Sequence, residues 1–316
     1  MELSPQLRQL RDFYYKSALK LPPGQSMAHA PGLIDKPVFF TLDHLKQQLN
    51  NPLLMPGWFT LFWQGNQVDC TRALAHKVIQ TAEVQFLNKA IVEEYLSHGA
   101  SLVLEGLDIL DPMINAMCGA IDTPHECVFS NAVAFFSQKG NEAYRGHFDT
   151  DDVLVIQLAG SKQWRIHQRQ PPRRVDGSEM TPAQMGPLQA ELTMHAGDAL
   201  YLRSHTPHAV ATPGDYSLHI AFDICDRNVN AETALHLLTK EYDKDATWAY
   251  TPTAGVVDKL MSLARGESFQ RRLAELQATQ QANYKRARDA IGANRISALD
   301  RLIALDRTPD RKPQGN

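Results

Sequence analysis

The chain has 316 residues, of which 43% are hydrophobic and 21% are charged, and its formal net charge is -3 at pH 7. This length accommodates one large globular domain with a smaller accessory one, and the apolar fraction excludes an intrinsically disordered chain. The small negative charge excludes a global basic field that would attract nucleic acid.

The first 125 residues predict helices that alternate with short strands. Apolar residues at helical spacing between Leu3 and Phe13 indicate an N-terminal helix, and a loop is expected over 26–32. Thr41 is predicted to cap a second helix, and Asp111 with Pro112 is predicted to begin another. The predicted helices are 3–13, 42–49, 88–99 and 113–118, and the predicted strands are 36–40, 58–63 and 101–104.

The middle of the chain predicts an antiparallel sandwich or barrel. Short runs rich in β-branched and aromatic residues follow one another without intervening helices, and turn signals, including one at 159–161, separate them. These predicted strands cover 128–136, 153–157, 163–167, 199–202 and 217–223. The expected fold class is therefore mainly β with helices, an α+β protein.

The chain after Asp226 predicts helices to its end. Apolar residues recur at helical spacing over 235–242, 256–263, 269–276 and 296–303, and a frayed polar tail is expected over 309–316. We therefore expect three parts: an N-terminal helical extension over 1–35, a catalytic domain over 36–225, and a C-terminal helical domain over 226–316.

The cysteines and the N-terminus indicate a reducing compartment. Cys70, Cys118, Cys127 and Cys225 lie far apart, without a CxxC pair, so neither a zinc knuckle nor a disulfide scaffold is supported. No stretch approaches the ~20 apolar residues that cross a bilayer, and the first residues lack the pattern of a secretory signal. We expect a cytoplasmic protein with free thiols and no membrane association.

The chemistry of the chain is concentrated at His147, Asp149 and His208. Residues two apart in a strand point to the same side, so His147 and Asp149 can converge on one metal ion, and His208 follows a Gly197-Asp198 turn and an apolar strand. Two imidazoles and one carboxylate form the facial triad that binds Fe(II) and leaves three positions open. With 12 histidines and 35 acidic residues, a His-x-Asp/Glu pair is expected roughly once by chance, so the triad depends on its context. His205 is the alternative third ligand.

The sequence around this triad resembles the JmjC ribosomal-oxygenase group of cupin proteins. The matching positions begin at Asn131, continue through His147-Phe148-Asp149 and the run Gln157-Leu158-Ala159-Gly160-Ser161-Lys162-Gln163-Trp164-Arg165, and end with Gly197-Asp198-Ala199-Leu200-Tyr201 and His208. The resemblance extends over about residues 36–225. It implies a double-stranded β-helix, also called a cupin or JmjC jelly roll, that binds Fe(II), 2-oxoglutarate and O2.

The resemblance also implies roles for single residues. His147, Asp149 and His208 match the iron ligands, Lys162 matches the cation that pairs with the distal carboxylate of 2-oxoglutarate, and Asn131 matches a polar residue near that co-substrate. A carboxylate in a narrow pocket needs such a cation to offset its desolvation. Ser217, on the last predicted core strand, is a further candidate that could donate a hydroxyl to the co-substrate.

Other polar residues near the predicted strands have a structural interpretation. His167, His195 and His219 are expected to make structural hydrogen bonds, and Trp164 is expected to pack in the core. Arg165, Arg169, Arg173 and Arg174 make a basic stretch in the loop over 168–190, which is either solvated or a rim that contacts an acidic or RNA-associated substrate.

The function expected from the resemblance is hydroxylation of a side chain of a protein or peptide, such as a ribosomal protein, by a homodimer. Two alternatives stay open at this point. One is an enzyme of the same class that hydroxylates a free amino acid or another small-molecule substrate. The other is a non-catalytic cupin that binds a ligand or a partner, and an intact triad together with Lys162 argues against it.

Overall fold

The structure is a computed structural model that describes residues 2–51, 53–54, 57–64, 66–126, 128–140, 146–171, 179–228, 231–242 and 253–292. Some of the expectations above concern residues outside these ranges. They are the thiol of Cys127, the guanidinium groups of Arg173 and Arg174, the helix over 296–303 and the tail over 309–316.

Nine α-helices lie within the described residues. They are α1 Pro5–Phe13, α2 Leu42–Leu49, α3 Lys89–Ser97, α4 Leu107–Leu110, α5 Pro112–Asp122, α6 Pro182–Met185, α7 Ala231–Tyr242, α8 Thr253–Arg265 and α9 Glu267–Gly292. The hydroxyl of Thr41 accepts from the backbone N–H of His44, and the carboxylate of Asp111 accepts from Met113 and Ile114, so both predicted caps are present. The helices predicted from 42, 88 and 113, and the first three after Asp226, are confirmed.

Twelve strands lie within the same ranges. They are β1 Met27–Ala30, β2 Phe59–Trp63, β3 Asn66–Gln67, β4 Leu74–Ile79, β5 Ala82–Leu87, β6 Ser101–Leu104, β7 Val128–Gln138, β8 Asp152–His167, β9 Leu188–His195, β10 Ala199–Leu202, β11 His208–Ala211 and β12 Tyr216–Asp226. One sheet has the order β1-β10-β8-β12-β7-β6-β2-β3, and β9 and β11 pair with β8 outside this path. Every pairing is antiparallel, so the predicted fold class is confirmed.

The long strand β8 joins two layers. Its first part pairs with β10 and β12, and its second part pairs with β9 and β11. Gly160 lies between the two parts with φ of +64°, and a Cβ there would lie 2.0 Å from the carbonyl oxygen of Tyr216. The turn predicted at 159–161 is therefore wrong, because glycine lets the strand bend and continue.

Two other local predictions are wrong. Residues 26–32 were expected to form a loop, but Met27–Ala30 forms strand β1 and pairs with β10 along its whole length. Residues 36–40 were expected to form a strand, but they have no strand hydrogen bonds; Lys36 has a φ of +46° and Pro37 lacks an N–H. The apolar character of this segment reflects Phe40, which is fully buried in the main core.

Alternation along β12 separates the main core from the interior of the barrel. Leu218, Ile220 and Phe222 belong to the large core that the N-terminal helices cover. The side chains between them, from His219 to Asp223, line a cavity between the two layers. A smaller apolar cluster that includes Val155, Trp164 and Met194 closes this space.

The C-terminal helix α9 is attached to the β-domain through Arg288. Its guanidinium group contacts Asp108 Oδ2 and Asp122 Oδ2, both at 3.1 Å, and donates to Asn115 Oδ1 at 2.9 Å. It also donates to the carbonyl oxygen of Ser130 and lies over the ring of Phe129 at 4.4 Å. Within the described residues, no helix is both long and apolar enough to cross a membrane.

Candidate metal centre

Backbone pairing brings the two predicted histidine ligands together. The N–H of His147 donates to the carbonyl oxygen of His208 at 3.0 Å, and the N–H of His208 donates back to His147 at 2.8 Å. His208 begins β11, so this bridge extends the barrel wall by one residue pair. The two imidazole centroids lie 4.5 Å apart. Asp149, two residues after His147, projects to the same side.

The three side chains offer a set of donor atoms with metal-binding spacing. His147 Nε2 lies 3.6 Å from Asp149 Oδ1, and His208 Nε2 lies 3.7 Å from Asp149 Oδ2. All three donor groups lie within 4.8 Å of one another. Ligands about 2.1 Å from a common ion are separated by about 3 to 3.6 Å, so small adjustments would complete a site for a divalent transition metal.

The protein holds His208 in the state that a metal ligand requires. Its Nδ1 lies 3.1 Å from the carbonyl oxygen of Thr206 and donates to it, which leaves the lone pair of Nε2 directed toward Asp149. Burial lowers the pKa of His208, and the neighbouring His147 lowers it further. The imidazole is therefore neutral at pH 7.

His205, the alternative third ligand, is held away from this cluster by its backbone. Its φ is +60°, its N–H donates to the carbonyl oxygen of Asp149 at 2.8 Å, and its carbonyl oxygen accepts from Gln170. The imidazole packs against Phe148 with a centroid distance of 5.3 Å. His205 thus fixes the loop that precedes His208 and contributes no donor atom to the cluster.

A cavity of about 270 Å³ extends from the triad into the barrel. Lys162 lines it and is 2% exposed, and its Nζ donates to Ser137 Oγ at 3.0 Å and to Thr212 Oγ1 at 3.2 Å. A buried ammonium group requires such partners to offset its desolvation. Lys162 therefore presents a buried cation to the same cavity as the triad, and its pairing with a co-substrate carboxylate stays a prediction.

The structure places Asn131 and Ser217 outside the residues that line the cavity. Asn131 Nδ2 lies 3.6 Å from Cys225 Sγ, and Ser217 Oγ accepts from Gln157 Nε2 at 2.9 Å. By strand alternation, Asn131 lies on the same face of β7 as Val133, and Ser217 on the same face of β12 as His219, both of which line the cavity. Their proposed contacts with a co-substrate stay untested.

The structure adds His219 and Trp164 to the cavity wall. Both residues are buried, and both line the cavity. Trp164 also packs in the smaller apolar cluster, as predicted. The structural interpretation of His219 overlooked its position, which alternation with Ala221 and Asp223 on β12 could have indicated. His167 does make the expected structural contact, since its Nδ1 lies 2.8 Å from the carbonyl oxygen of Gly186.

Two carboxyl groups that the sequence did not single out also line the cavity. They belong to Glu105 and Asp223. Burial raises the pKa of Asp223 to about 8, with further contributions from Asp149 and Glu105, and burial also raises the pKa of Glu105. The Asp223 carboxyl is therefore mostly protonated at pH 7, and a ligand that carries positive charge or donates hydrogen bonds on this side would favour its ionised form.

Comparison with known proteins shows what part of this chain is similar to. Residues 113–231 match the family model described as JmjC domain. A bifunctional lysine-specific demethylase and histidyl-hydroxylase NO66 of Dictyostelium discoideum is 26% identical over 187 residues, which is 58% of this chain and 35% of that protein. Ribosomal oxygenase 1 of Gallus gallus is 26% identical over 147 residues, 44% of this chain and 24% of that protein.

Solved structures with the same fold include the ribosomal oxygenase YcfD of Escherichia coli. One such structure matches with a TM-score of 0.54 and 14% identity over 84% of this chain and 70% of that one. Another, in complex with cobalt and 2-oxoglutarate, matches with a TM-score of 0.54 and 12% identity over 82% of this chain and 69% of that one. The predicted resemblance and the JmjC fold are confirmed. The chain spans about a third or less of the curated relatives named above.

Proposed function

We propose that this chain, which carries a JmjC domain, is an Fe(II)- and 2-oxoglutarate-dependent oxygenase that hydroxylates a side chain of a protein or peptide. The convergence of His147, Asp149 and His208 at one end of a cavity that also contains the buried ammonium group of Lys162 carries this proposal. The names of the relatives, a histidyl-hydroxylase and ribosomal oxygenases, support a protein substrate and make ribosomal proteins the first candidates.

The three donor groups would hold Fe(II) on one face and leave the opposite face for exchangeable ligands. When bound, the iron with 2-oxoglutarate and O2 supplies the oxidation of a C–H bond, coupled to decarboxylation of the co-substrate to succinate and CO2. Lys162 would bind the distal carboxylate of 2-oxoglutarate and so orient it. The apolar side chains of Val133, Val155 and Leu202 would limit the entry of water.

The acidic side of the cavity would bind the target side chain. Glu105 and Asp223 lie far from Lys162 along the strands, because Asp223 is six residues beyond Ser217, the strand partner of Ser137. Carboxyl groups suit a target that carries positive charge or N–H donors, which agrees with the histidyl-hydroxylase activity named for one relative.

Mass spectrometry tests this function directly. The protein would be incubated with Fe(II), 2-oxoglutarate and O2 and with ribosomal proteins, peptides derived from them, or free amino acids. We expect a mass increase of about 16 Da, one oxygen atom, on a protein or peptide, together with succinate. His147→Ala should abolish both products, whereas His205→Ala, a neighbouring imidazole outside the cluster, should retain them.

Two other results would contradict the proposal in different ways. A mass increase only on free amino acids would identify the small-molecule alternative. Binding of a ligand without any succinate would identify a non-catalytic cupin. The family model matches only residues 113–231. The test is therefore run with the full chain, so that the segments outside this match are present.

We also infer a homodimer in the cytoplasm, with residues 1–35, 36–225 and 226–316 as its three parts. The C-terminal part would serve dimerisation or substrate binding, and the contacts of Arg288 attach α9 to the β-domain. Light scattering coupled to gel filtration tests the dimer, because a monomer would have the 35.4 kDa mass of one chain.

A further inference from the structure

The cavity wall contains two polar nitrogen atoms that lack a partner in the part of the chain that the structure describes. They are Nδ1 of His219 and Nε1 of Trp164. Both atoms are buried, and both residues line the cavity that begins at the triad. Buried polar groups in folded proteins are nearly always paired, because an unpaired one costs its full desolvation. A ligand in the cavity can supply the missing partners.

His219 is fixed in place by aromatic rings. Its imidazole stacks on Phe135 with a centroid distance of 4.9 Å and an interplanar angle of 7°, and the Trp164 ring meets it edge-on at 6.0 Å. An apolar ring would fill this space without leaving a nitrogen unpaired. The presence of an imidazole in such a position therefore indicates that its nitrogen contacts a ligand in the cavity.

The register of β12 places His219 next to the lysine. His219 pairs with Phe135, and two residues away Ser217 pairs with Ser137, whose hydroxyl accepts from Lys162 Nζ. Burial lowers the pKa of His219 well below its usual value, and the charge of Lys162 lowers it further. His219 is thus a neutral ring with one N–H, close to a buried ammonium group.

The spacing along β11 suits a ligand with two anionic ends. His208 and Val210 line the cavity, and Thr212, four residues after His208, accepts from Lys162. Four residues of strand extend about 13 Å, and the side chains of Lys162 and His208 each reach into that interval. The triad and the lysine therefore lie at opposite ends of one elongated space.

We propose that His219 binds the distal carboxylate of 2-oxoglutarate together with Lys162. This inference rests on the proposed function and adds a residue that positions the co-substrate. The imidazole N–H donates to one carboxylate oxygen while the ammonium group pairs with the carboxylate. Phe135 and Trp164 pack against the ring and limit its rotation.

The test is co-substrate binding without turnover, measured by calorimetry on protein loaded with Mn²⁺. Oxalate serves as the matched ligand, because it chelates the metal but has no distal carboxylate. We expect His219→Phe to weaken 2-oxoglutarate binding about 10- to 100-fold, as for loss of a hydrogen bond to a charged group. The affinities for Mn²⁺ and for oxalate should stay unchanged. His219→Asn, which keeps a donor near the position of Nδ1, should restore most of the 2-oxoglutarate affinity.

Each alternative outcome overturns the inference in a recognisable way. Equal binding of 2-oxoglutarate by the wild type and His219→Phe would mean that His219 only packs. Equal weakening of oxalate and 2-oxoglutarate would mean that it acts through the metal centre or the fold. Wild-type protein that binds Mn²⁺ but not 2-oxoglutarate would refute the proposed function itself, and this inference with it.

Discussion

The attachment of α9 by Arg288 yields a stability prediction that the structure makes quantitative. Asp108 is 3% exposed and Asp122 is 17% exposed, and the two carboxylates share the guanidinium group of Arg288, itself 12% exposed. Arg288→Met keeps most of the side-chain volume but leaves the buried carboxylate of Asp108 and the partly buried one of Asp122 without their cation. Removing one partner of a buried ion pair costs about 3–5 kcal/mol, and one arginine serves both acids here, so we expect a loss within that range.

The assay is urea unfolding of the full chain at two pH values. Burial raises the pKa of Asp122, and Arg288 opposes this rise. Without Arg288 the pKa rises further, and the contribution of such a group is lost as pH increases through its folded pKa. The variant should therefore lose more stability at pH 8 than at pH 5.5. Arg286→Met, an exposed residue on the same helix, should change the free energy of unfolding by less than about 0.5 kcal/mol. A loss for Arg288→Met no larger than that of the control would refute this account.

Three further predictions concern the barrel. Lys162→Met should weaken 2-oxoglutarate binding by more than about 100-fold in calorimetry with Mn²⁺-loaded protein, because a carboxylate would lose its buried cation; retained affinity would mean that another group binds this end. Gly160→Ala should prevent folding or shift the circular-dichroism melting temperature down by many degrees, since its Cβ would meet the Tyr216 carbonyl; an unchanged melting temperature would contradict the close approach. His219 has a lowered folded pKa, so the unfolded chain binds a proton near pH 6.5 that the folded chain does not, and stability falls as pH decreases through that value. His219→Phe should therefore reduce the loss of stability between pH 7.5 and 5.5 in urea unfolding, and an identical pH dependence would show that His219 titrates normally.

The site was more predictable from sequence than the strands that hold it. His147 and Asp149 are two residues apart, so strand alternation alone places them on one side. The contact between His147 and His208 depends on a backbone bridge between segments that are distant in the chain. Only the match to a family pattern supplied the number of residues between these two histidines. That match also located Lys162, whose burial between Ser137 and Thr212 is not encoded in its local sequence.

Several strands were not predicted from the sequence, some of them because tertiary contacts override local sequence signals. The β4–β5 hairpin carries largely exposed side chains, and β4 has no hydrophobic alternation, whereas β5 alternates Ala82, Val84 and Phe86 with polar residues but was not predicted. Strand β9 does alternate apolar and polar residues from Leu188 to Met194 but was not predicted, and β1 owes its conformation to pairing with β10. His219 was interpreted as structural, because alternation with Ala221 and Asp223 indicates its face of β12 but one sequence does not reveal that this face borders a cavity.

Anaerobic titration with Fe(II) and 2-oxoglutarate tests the metal centre most directly. If His147, Asp149 and His208 bind iron, the wild type and His205→Ala should both develop the weak visible charge-transfer band of an iron–2-oxoglutarate complex, and His208→Ala should not. A band that persists in His208→Ala, or that is lost only in His205→Ala, would contradict the assignment of the third ligand. The absence of a band in the wild-type protein would contradict the proposed chemistry as a whole.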